Sequence, residues 1–423
     1  MVAATAVLTM AVMVPHILPT GTPPARNRWL VAAAAVVVQI CLGAAYGWSV
    51  FVGPLSAMTG WTLSQVSLSF TLAIACLGVG TIVGGLWQDR AGPRPVATVA
   101  GVLYGIGYLL AGFFSARHSL AGVYLGYGVI GGVGMGMGYI TPVATITKWF
   151  PDRRGLMTGV AVAGYGAGAL VMSPFAARSI AERGVPATFN LLGVVYLVMV
   201  VAAAQLYANP PAGWRPAGWE PGVAGHKTVS ADATVGEAMR TRQFWTLWAM
   251  LFLNVSAGIM IISQASPLAQ QLARLTPAGA AGIVGLISMF NGGGRVLWAW
   301  ISDYIGRARV YVLLYAIQAV IFFALPSLDG VLPVGTALAI VGLCYGGGFG
   351  TMPSLTADFF GAKYMGGIYG WILIAWGAAA IPTPILIAAL RQSTGRYDQA
   401  LYAVGAVLLA AIALPLTLRA PAR

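Results

Sequence analysis

The sequence is poor in charge, and poorest in negative charge. Aspartate and glutamate total only 10 among 423 residues, and charged side chains make up 8% of the chain, whereas a typical soluble protein is about a quarter charged. So few acidic groups cannot cover the surface of a soluble enzyme of this length, and a 59% hydrophobic content excludes a disordered chain. The three cysteines, Cys41, Cys76 and Cys344, all lie in apolar runs, which excludes a disulfide scaffold.

Long apolar runs and small residues are what the sequence has instead. A helix needs roughly 20 apolar residues to cross ~30 Å of hydrocarbon. About twelve such runs follow one another, the first near Trp29–Leu55 and the last near Leu401–Leu418. The 56 glycines are typical of membrane helices that pack closely through small residues. The sequence therefore predicts an all-α membrane protein with about 12 transmembrane helices.

The net charge of +13 is explained by membrane topology. With the N-terminus inside, most of the 23 Lys and Arg residues fall in the loops on the cytoplasmic side, as the positive-inside rule requires. We therefore expect a multi-pass protein of the plasma membrane with both termini cytoplasmic and the lipid bilayer, not nucleic acid, as its partner. Pro15 and Pro19 interrupt the apolar N-terminus, which also lacks a basic start, so it is a poor signal peptide.

A polar stretch and an internal repeat divide the chain into two halves. The only long connection is rich in Pro and Gly and is expected to be a cytoplasmic linker. The segment GGLWQDRAGPR (84–94) returns about half a chain later as WISDYIGRAR (300–309). Two repeated six-helix halves are typical of a transporter, here expected to be monomeric, whose halves rock about a midplane site. The predicted parts are an N-terminal extension (1–28), a six-helix bundle (29–208), the linker (209–243), a second six-helix bundle (244–418) and a cytoplasmic tail (419–423).

Arg295 is the strongest candidate for a functional residue. It precedes Asp303 by eight residues on the eighth predicted span, which places it about 12 Å into the membrane at 1.5 Å per residue. A guanidinium at that depth costs at least ~2.5–3.5 kcal/mol unless it faces a wet cavity, an anion or helix carbonyls. Asn291, one turn earlier, lies on the same helix face. Because no carboxylate or histidine lies at mid-membrane depth, we expect Arg295 to bind a small carboxylate anion, although snorkelling or bonding to carbonyls is the alternative.

Five aromatic residues near the middle of other spans are candidates for the wall of the same site. Tyrosine hydroxyls can orient a small anion while the rings exclude water, although each residue alone is also typical of ordinary helix packing. No HExxH, GxSxG or Walker-type motif is present, so we expect a transporter rather than an enzyme, with no cofactor and no metal. The candidates are Tyr46, Tyr139, Tyr165, Tyr345 and Trp376.

The repeated loop resembles a family signature. The pattern G-x-x-x-D-R-x-G-P-R, ending at Arg94, is similar to the loop signature of the major facilitator superfamily, and the resemblance covers nearly the whole chain. It implies the major facilitator fold. It also implies an inner-side network that stabilises the outward-facing state, because acids and guanidinium groups at helix ends can pair in one state and part in the other. Topological anchoring is the alternative role. The candidates for this network are Asp89, Arg90 and Arg94 and, in the second repeat, Asp303 and Arg307.

Other stretches resemble the oxalate/formate antiporter family and bacterial relatives of the monocarboxylate (lactate) transporters. They are KWFPDRRG (148–155), RTRQFW (240–245), FNGGGR (290–295) and SDYIGR (302–307). The resemblance implies that Arg295 binds the substrate carboxylate and that the four candidate tyrosines wall the cavity. The oxalate exchanger has a lysine where this chain has Trp376, and a single cation suits a monoanion. We therefore expect proton-coupled symport of short monocarboxylates such as L-lactate or pyruvate, with carboxylate anion exchange as the alternative.

Overall fold

Helices make up almost all of the chain. The computed structural model describes residues 27–219, 232–380, 383 and 398–418, and no strand occurs in those ranges. The predicted all-α membrane class is confirmed, since ten of the described helices are long and apolar enough to span a membrane. The long helices are α1 Arg28–Thr59, α2 Leu63–Ala91, α3 Pro93–Ala116, α4 Leu120–Trp149, α5 Pro151–Arg183, α6 Val185–Ala204, α7 Arg242–Leu272, α8 Pro277–Ile305, α9 Arg307–Ala324, α10 Val331–Phe360, α11 Met365–Ala379 and α12 Asp398–Thr417.

Several predicted segments fall outside this description. They are the N-terminal extension up to residue 26, the centre of the linker at 220–231, and the C-terminal tail. The described ends of the linker lie against the helix bundle. Trp214 packs edge-on against Trp149 with ring centroids 4.8 Å apart, and the Ala233 amide donates to the Phe360 carbonyl oxygen at 3.0 Å.

The helix ends explain why each helix is longer than its apolar run. Thr62 and Gln65 form a capping box that begins α2, and Gly92, at a φ of 84°, ends it immediately before Pro93 begins α3. The same turn returns in the repeat, where Gly306 separates α8 from α9 at a φ of 92°. Polar and charged residues in these first and last turns extend the helices beyond the hydrocarbon core.

Three helices depart from regular α-geometry within their apolar spans. Helix α1 narrows to a 3₁₀ segment at Ala44–Trp48, α4 widens to a π-helical segment at Tyr124–Gly131, and α11 is interrupted after Ile372. Such segments are frequent at functional sites because they redirect side chains out of the regular helical rows. Tyr46 lies inside the first of these segments, and Trp376 follows the last.

Glycines let helices of the two halves approach closely. A Cβ on Gly85 of α2 would collide with the backbone of Gly366 in α11, and a Cβ on Gly159 of α5 would meet the carbonyl oxygen of Arg295 in α8. These contacts lie towards the end of the bundle that carries Asp89, Asp303 and Asp358, which we call the charged end. The halves are therefore packed together at the charged end.

Two neighbouring glycines in α8 allow a direct test of this packing. A Cβ on Gly294 would overlap the backbone of Leu343 in α10, whereas a Cβ on Gly293 would meet nothing within 4 Å and faces outward. We expect Gly294→Ala to destabilise the protein by about 1–3 kcal/mol through overpacking. Gly293→Ala, the matched control, should leave the melting temperature in detergent unchanged or slightly raised, because alanine is the better helix former. Equal melting temperatures for the two variants would contradict the close α8–α10 contact.

Candidate functional site

Arg295 lies at the centre of the structure and is completely buried. Its Nη1 donates to the Val162 carbonyl oxygen of α5 at 3.1 Å, and its Nε lies 3.5 Å from Oδ1 of Asn291. The guanidinium carbon is 5.1 Å from the ring centroid of Phe349 and 5.7 Å from that of Tyr165. No described residue accepts a well-aligned hydrogen bond from Nη2, and the phenol oxygens of Tyr46 and Tyr139 lie close to the guanidinium. Part of the guanidinium is thus held by the protein, and its second amino group is left with donors to spare.

The charge of Arg295 is not balanced by a carboxylate within the described part of the chain. Every ion pair found there is distant from Arg295, and most lie at the charged end. One carbonyl, one amide oxygen and two aromatic faces attract the guanidinium, but they carry no net negative charge. A buried charge without a counter-ion is strongly unfavourable, so an anionic ligand would gain free energy by binding here.

Four of the five predicted aromatic residues form one cluster with the addition of Phe349, which we call the aromatic cluster. Trp376 of α11 is at its centre, and its ring centroid is 4.9 Å from that of Phe349 in α10. The rings of Tyr139 and Tyr165 are both 5.9 Å from Trp376, and that of Tyr46 is 6.3 Å away. The cluster joins α1, α4 and α5 of the first half to α10 and α11 of the second. Tyr345, the fifth predicted residue, packs edge-on against Phe349 at 5.2 Å.

Buried amides in each half fix the helices that carry Tyr139 and Tyr345. Gln39 of α1 donates from Nε2 to the Tyr139 carbonyl oxygen at 3.2 Å. In the second half, Asn254 of α7 donates from Nδ2 to the Tyr345 carbonyl oxygen, also at 3.2 Å. Gly258 leaves the space that the Tyr345 ring occupies, because a Cβ at that position would overlap the ring. The two tyrosines are therefore placed by equivalent contacts in the two halves.

The tyrosine hydroxyls surround the arginine. Those of Tyr46 and Tyr139 lie within electrostatic range of the Arg295 guanidinium. Both oxygens are buried, and neither makes a well-aligned hydrogen bond with any residue that the structure describes. The Tyr165 hydroxyl is directed elsewhere, towards the sulfur of Met135 at 3.1 Å. Two phenols and the free side of Arg295 thus provide convergent donors for one small anion.

A cavity of about 390 Å³ lies on the side of the aromatic cluster that faces away from the charged end. Asn291, Tyr46, Tyr345 and Trp376 line its base, and α2, α5, α7 and α8 form its walls. Arg295 does not reach the cavity surface, because it lies one turn deeper on α8 than Asn291. A ligand in the cavity would meet the Asn291 amide and the phenols before it reaches the guanidinium.

Two residues of this site escaped the sequence-based prediction. Phe349 contacts both Arg295 and Trp376, and Tyr369 places a buried hydroxyl near Tyr139. Helical spacing carried a signal for each, since Phe349 follows Tyr345 by one turn and Tyr369 precedes Trp376 by two turns.

The charged end is closed by two carboxylates that cap helices of the opposite half. Asp303 of α8 accepts from the amides of Gly155 at 3.0 Å and Leu156 at 2.9 Å, at the beginning of α5. Asp89 of α2 does the same for α11, accepting from the Gly366 amide at 3.1 Å and the Gly367 amide at 2.6 Å. A carboxylate on free amides at a helix N-terminus is favourable, so each cap stabilises contact between the halves.

The predicted arginines of this network divide into two groups. Arg307 is buried and pairs with Asp303 at 3.2 Å and with Asp358 at 2.7 Å. Asp358 in turn pairs with Arg154 of the first half at 2.9 Å. Arg90 is exposed and makes no ion pair within the described ranges, and Arg94 donates only to the Tyr207 carbonyl oxygen of its own half, at 3.4 Å. Asp89 and Asp303 therefore contact the opposite half directly, whereas Arg307 supports these contacts from within its own half by pairing with Asp303 and Asp358. Arg90 and Arg94 take no part in contacts between the halves.

Comparison with known proteins agrees with this architecture. The family model described as Major Facilitator Superfamily matches residues 35–384, and the chain belongs to that superfamily. It is therefore a multi-pass membrane protein of a transporter family. The chain is 29% identical to the oxalate:formate antiporter of Oxalobacter formigenes over 362 residues, 84% of this chain and 83% of that protein.

Two further similarities extend the comparison. The chain is 25% identical to human monocarboxylate transporter 11 over 410 residues, 92% of this chain and 83% of that protein. The crystal structure of the major facilitator transporter FucP superposes with a TM-score of 0.70 at 13% identity, covering 91% of this chain and 97% of that one. The expected resemblance to the oxalate/formate antiporter and monocarboxylate transporter families is confirmed, and so is the major facilitator fold.

The caps at the charged end predict how accessible the interface between the halves is. Ser354 of α10 is buried there, with its Oγ 2.9 Å from Oγ1 of Thr158 in α5. A cysteine introduced as Ser354→Cys, in a Cys76→Ser background, should react slowly with a hydrophilic maleimide in detergent. Adding Asp303→Asn should raise that rate roughly 3–10-fold, because a charged cap of this kind contributes about 1 kcal/mol.

Arg90→Gln serves as the control for this experiment, because Arg90 makes no described contact with the second half. It should leave the labelling rate unchanged. An equal increase for both substitutions would show that the labelling rate responds to any loss of charge at the charged end, and not to the cap.

Proposed function

We propose that the protein is a secondary active transporter that carries short monocarboxylates, of the L-lactate or pyruvate type, by alternating access. The observation that supports it most is the buried guanidinium of Arg295, whose Nη2 makes no well-aligned hydrogen bond and meets no carboxylate within the described residues. The similarity to an oxalate:formate antiporter and to a monocarboxylate transporter points to the same class of ligand.

In this proposal each residue of the site has a separate part. The substrate carboxylate accepts from Nη2 of Arg295 and from the hydroxyls of Tyr46 and Tyr139. Asn291 holds Nε of the arginine and offers its amide to the ligand at the base of the cavity. Trp376, Tyr165 and Tyr345 complete the wall and exclude water, which strengthens the charge-assisted hydrogen bonds.

Alternating access requires an end state that is closed on one side of the membrane and has a cavity on the other. Closure at the charged end and the cavity beyond the aromatic cluster fit such a state. The caps made by Asp89 and Asp303 hold α11 and α5 against the opposite halves. The excess of basic residues at the charged end favours the cytoplasmic face of the plasma membrane for that end, with both termini on the same side. The conformation is then the outward-facing one, in which the cavity receives substrate from outside.

Proton symport is the preferred mode of coupling. A proton that moves with a monocarboxylate makes the loaded step electrically neutral, although Arg295 stays charged throughout. Because no acidic residue lies beside the site in the described chain, the proton is assigned to the substrate carboxylate or to a water bound to it. Anion exchange is the second candidate, and the 29% identity with an oxalate:formate antiporter favours it.

Uptake of radiolabelled L-lactate into proteoliposomes tests the proposal. With empty vesicles, an inward proton gradient should stimulate uptake, and a protonophore should abolish the stimulation. Uptake that requires a preloaded anion would instead establish exchange. Arg295→Ala should reduce uptake at least ~100-fold, because it removes hydrogen bonds to a charged group worth about 1.5–3 kcal/mol each.

The matched control is Arg309→Ala, since Arg309 is exposed and donates only to the Ile305 carbonyl oxygen. This variant should transport normally. If the Arg295→Ala variant took up L-lactate as fast as the wild-type protein, Arg295 would not belong to the binding site. If the wild-type protein took up no carboxylate under either condition, the proposed substrate class would be refuted.

Because the site contains a single cation, we expect the number of positive charges in it to determine whether a monoanion or a dianion is transported. Trp376→Lys would add a second positive charge at the centre of the aromatic cluster. It should raise the ratio of oxalate to lactate transport, since a dianion can then bind both cations. Trp371→Lys places the same charge on α11 outside the cluster and should leave the ratio unchanged. A constant ratio in the Trp376 variant would contradict the charge-count argument.

A further inference from the structure

The cavity above Arg295 has two unlike regions. Its base, next to the arginine, carries the polar groups of Asn291, Tyr46 and Tyr345. Its walls beyond the base are mostly aliphatic and come from α2, α7 and α8. None of the lining residues that the structure describes is charged. A ligand that fits both regions has one polar end and an apolar remainder.

The aliphatic region begins directly beside the carboxylate end of the cavity. Ile287 precedes Asn291 by four residues, so the two side chains are neighbours on one face of α8. Ile74 of α2 lines the opposite wall from the first half, and Ile259 of α7 contributes a third side chain. We call these three isoleucines the tail wall. Because they come from both halves, an apolar tail between them would be enclosed when the halves move together.

Hydroxyl groups in the walls do not change this character. Ser288 also lines the cavity, but its Oγ donates to the Val284 carbonyl oxygen of its own helix at 3.0 Å. That hydroxyl proton is therefore used within α8. Thr71, the other hydroxyl residue of the wall, belongs to α2 and lies one turn before Ile74.

The volume of the cavity exceeds what a three-carbon acid needs. About 390 Å³ corresponds to the space of about 13 water molecules at ~30 Å³ each. Pyruvate or lactate bound at Arg295 would leave much of the apolar lining beyond the base, including Ile262 and Val284, in contact with water. Each further methylene placed against the isoleucines removes apolar surface from water, which improves affinity about fourfold.

We propose that the tail wall binds the substrate's apolar tail, so that the preferred substrates are monocarboxylates with tails longer than that of pyruvate or lactate. Ile74, Ile259 and Ile287 then determine specificity, and Arg295 fixes the charged end. This inference rests on the proposed carboxylate transport, and it adds the chemistry of the tail. A second carboxylate at the end of the tail is excluded because it would lie among aliphatic side chains without a partner.

A homologous series of acids tests the inference. Uptake of labelled pyruvate into proteoliposomes is measured in competition with unlabelled 2-oxobutanoate, 2-oxopentanoate and 2-oxohexanoate, and with 2-oxoglutarate as the polar-tailed control. The apparent inhibition constant should fall about fourfold per added methylene. 2-Oxoglutarate should inhibit no better than pyruvate itself. Protein-free liposomes correct for partition of the longer acids into lipid.

Two substitutions in the tail wall test whether it causes the dependence of affinity on tail length. Ile287→Ser should make the apparent inhibition constant nearly independent of tail length, with little change in the value for pyruvate. Ile259→Ser should have the same effect and replaces the first variant if that one folds poorly. Ile106→Ser, on an exposed face of α3 away from the cavity, is the matched control and should keep the wild-type series.

The outcomes separate this inference from the proposed function. An apparent inhibition constant that stays constant or rises with tail length would overturn the tail assignment. Pyruvate uptake that depends on Arg295 would still support the proposed function in that case. A steep series that neither isoleucine variant changes would place the tail elsewhere and also overturn it. If neither pyruvate nor any longer acid is transported or competes, the proposed carboxylate transport itself fails.

Discussion

A buried cation without a carboxylate partner is the constraint on which the rest of this site depends. The membrane offers Arg295 no water, so its guanidinium must find acceptors and polarisable faces within the protein. The Val162 carbonyl, the Asn291 amide oxygen and the rings of Phe349 and Tyr165 serve in that way. They stabilise the charge without neutralising it, because a neutralised arginine would have no affinity left for an anion. Incomplete compensation is thus compatible with folding, and the proposed anion binding requires it.

The same arginine connects the site to the closed end of the bundle. Its backbone carbonyl lies where glycines bring α5 and α10 closest to α8, against Gly159 and Gly350. Eight residues further along the same helix, Asp303 caps α5. A helix is stiff over two turns, so a shift of α8 that releases the cap also moves the guanidinium relative to Val162 on α5. In the proposed function, ligand binding and opening of the charged end would then be mechanically linked through one helix.

The apolar runs and the repeated loop predict most of the architecture. They do not predict the contacts in which the partner of a side chain is a backbone group. The sequence predicted the helices, the central arginine and a shared aromatic wall, because hydropathy and depth depend on side-chain type. It could not reveal that Asp89 binds the amides of Gly366 and Gly367, since amides have no sequence signature. Nor could it separate Asp89 from Arg90, its neighbour. Successive residues lie about 100° apart around a helix, so one faces the other half and the next faces outward.

The two halves contribute similar aromatic residues to the site, but only the second half contributes a charge. Tyr165 and Trp376 lie equally far along α5 and α11, counted from the capped glycines Gly155 and Gly366, and both belong to the aromatic cluster. The repeat offset that relates Asp303 to Asp89 pairs Arg295 with Thr81, an uncharged residue whose hydroxyl donates to the carbonyl oxygens of Gly78 and Gly370. The wall is therefore nearly symmetric, whereas the anchor belongs to one half. In the proposed function, a monoanion would be held by the second half and enclosed by the first, which would give it a single orientation in the site.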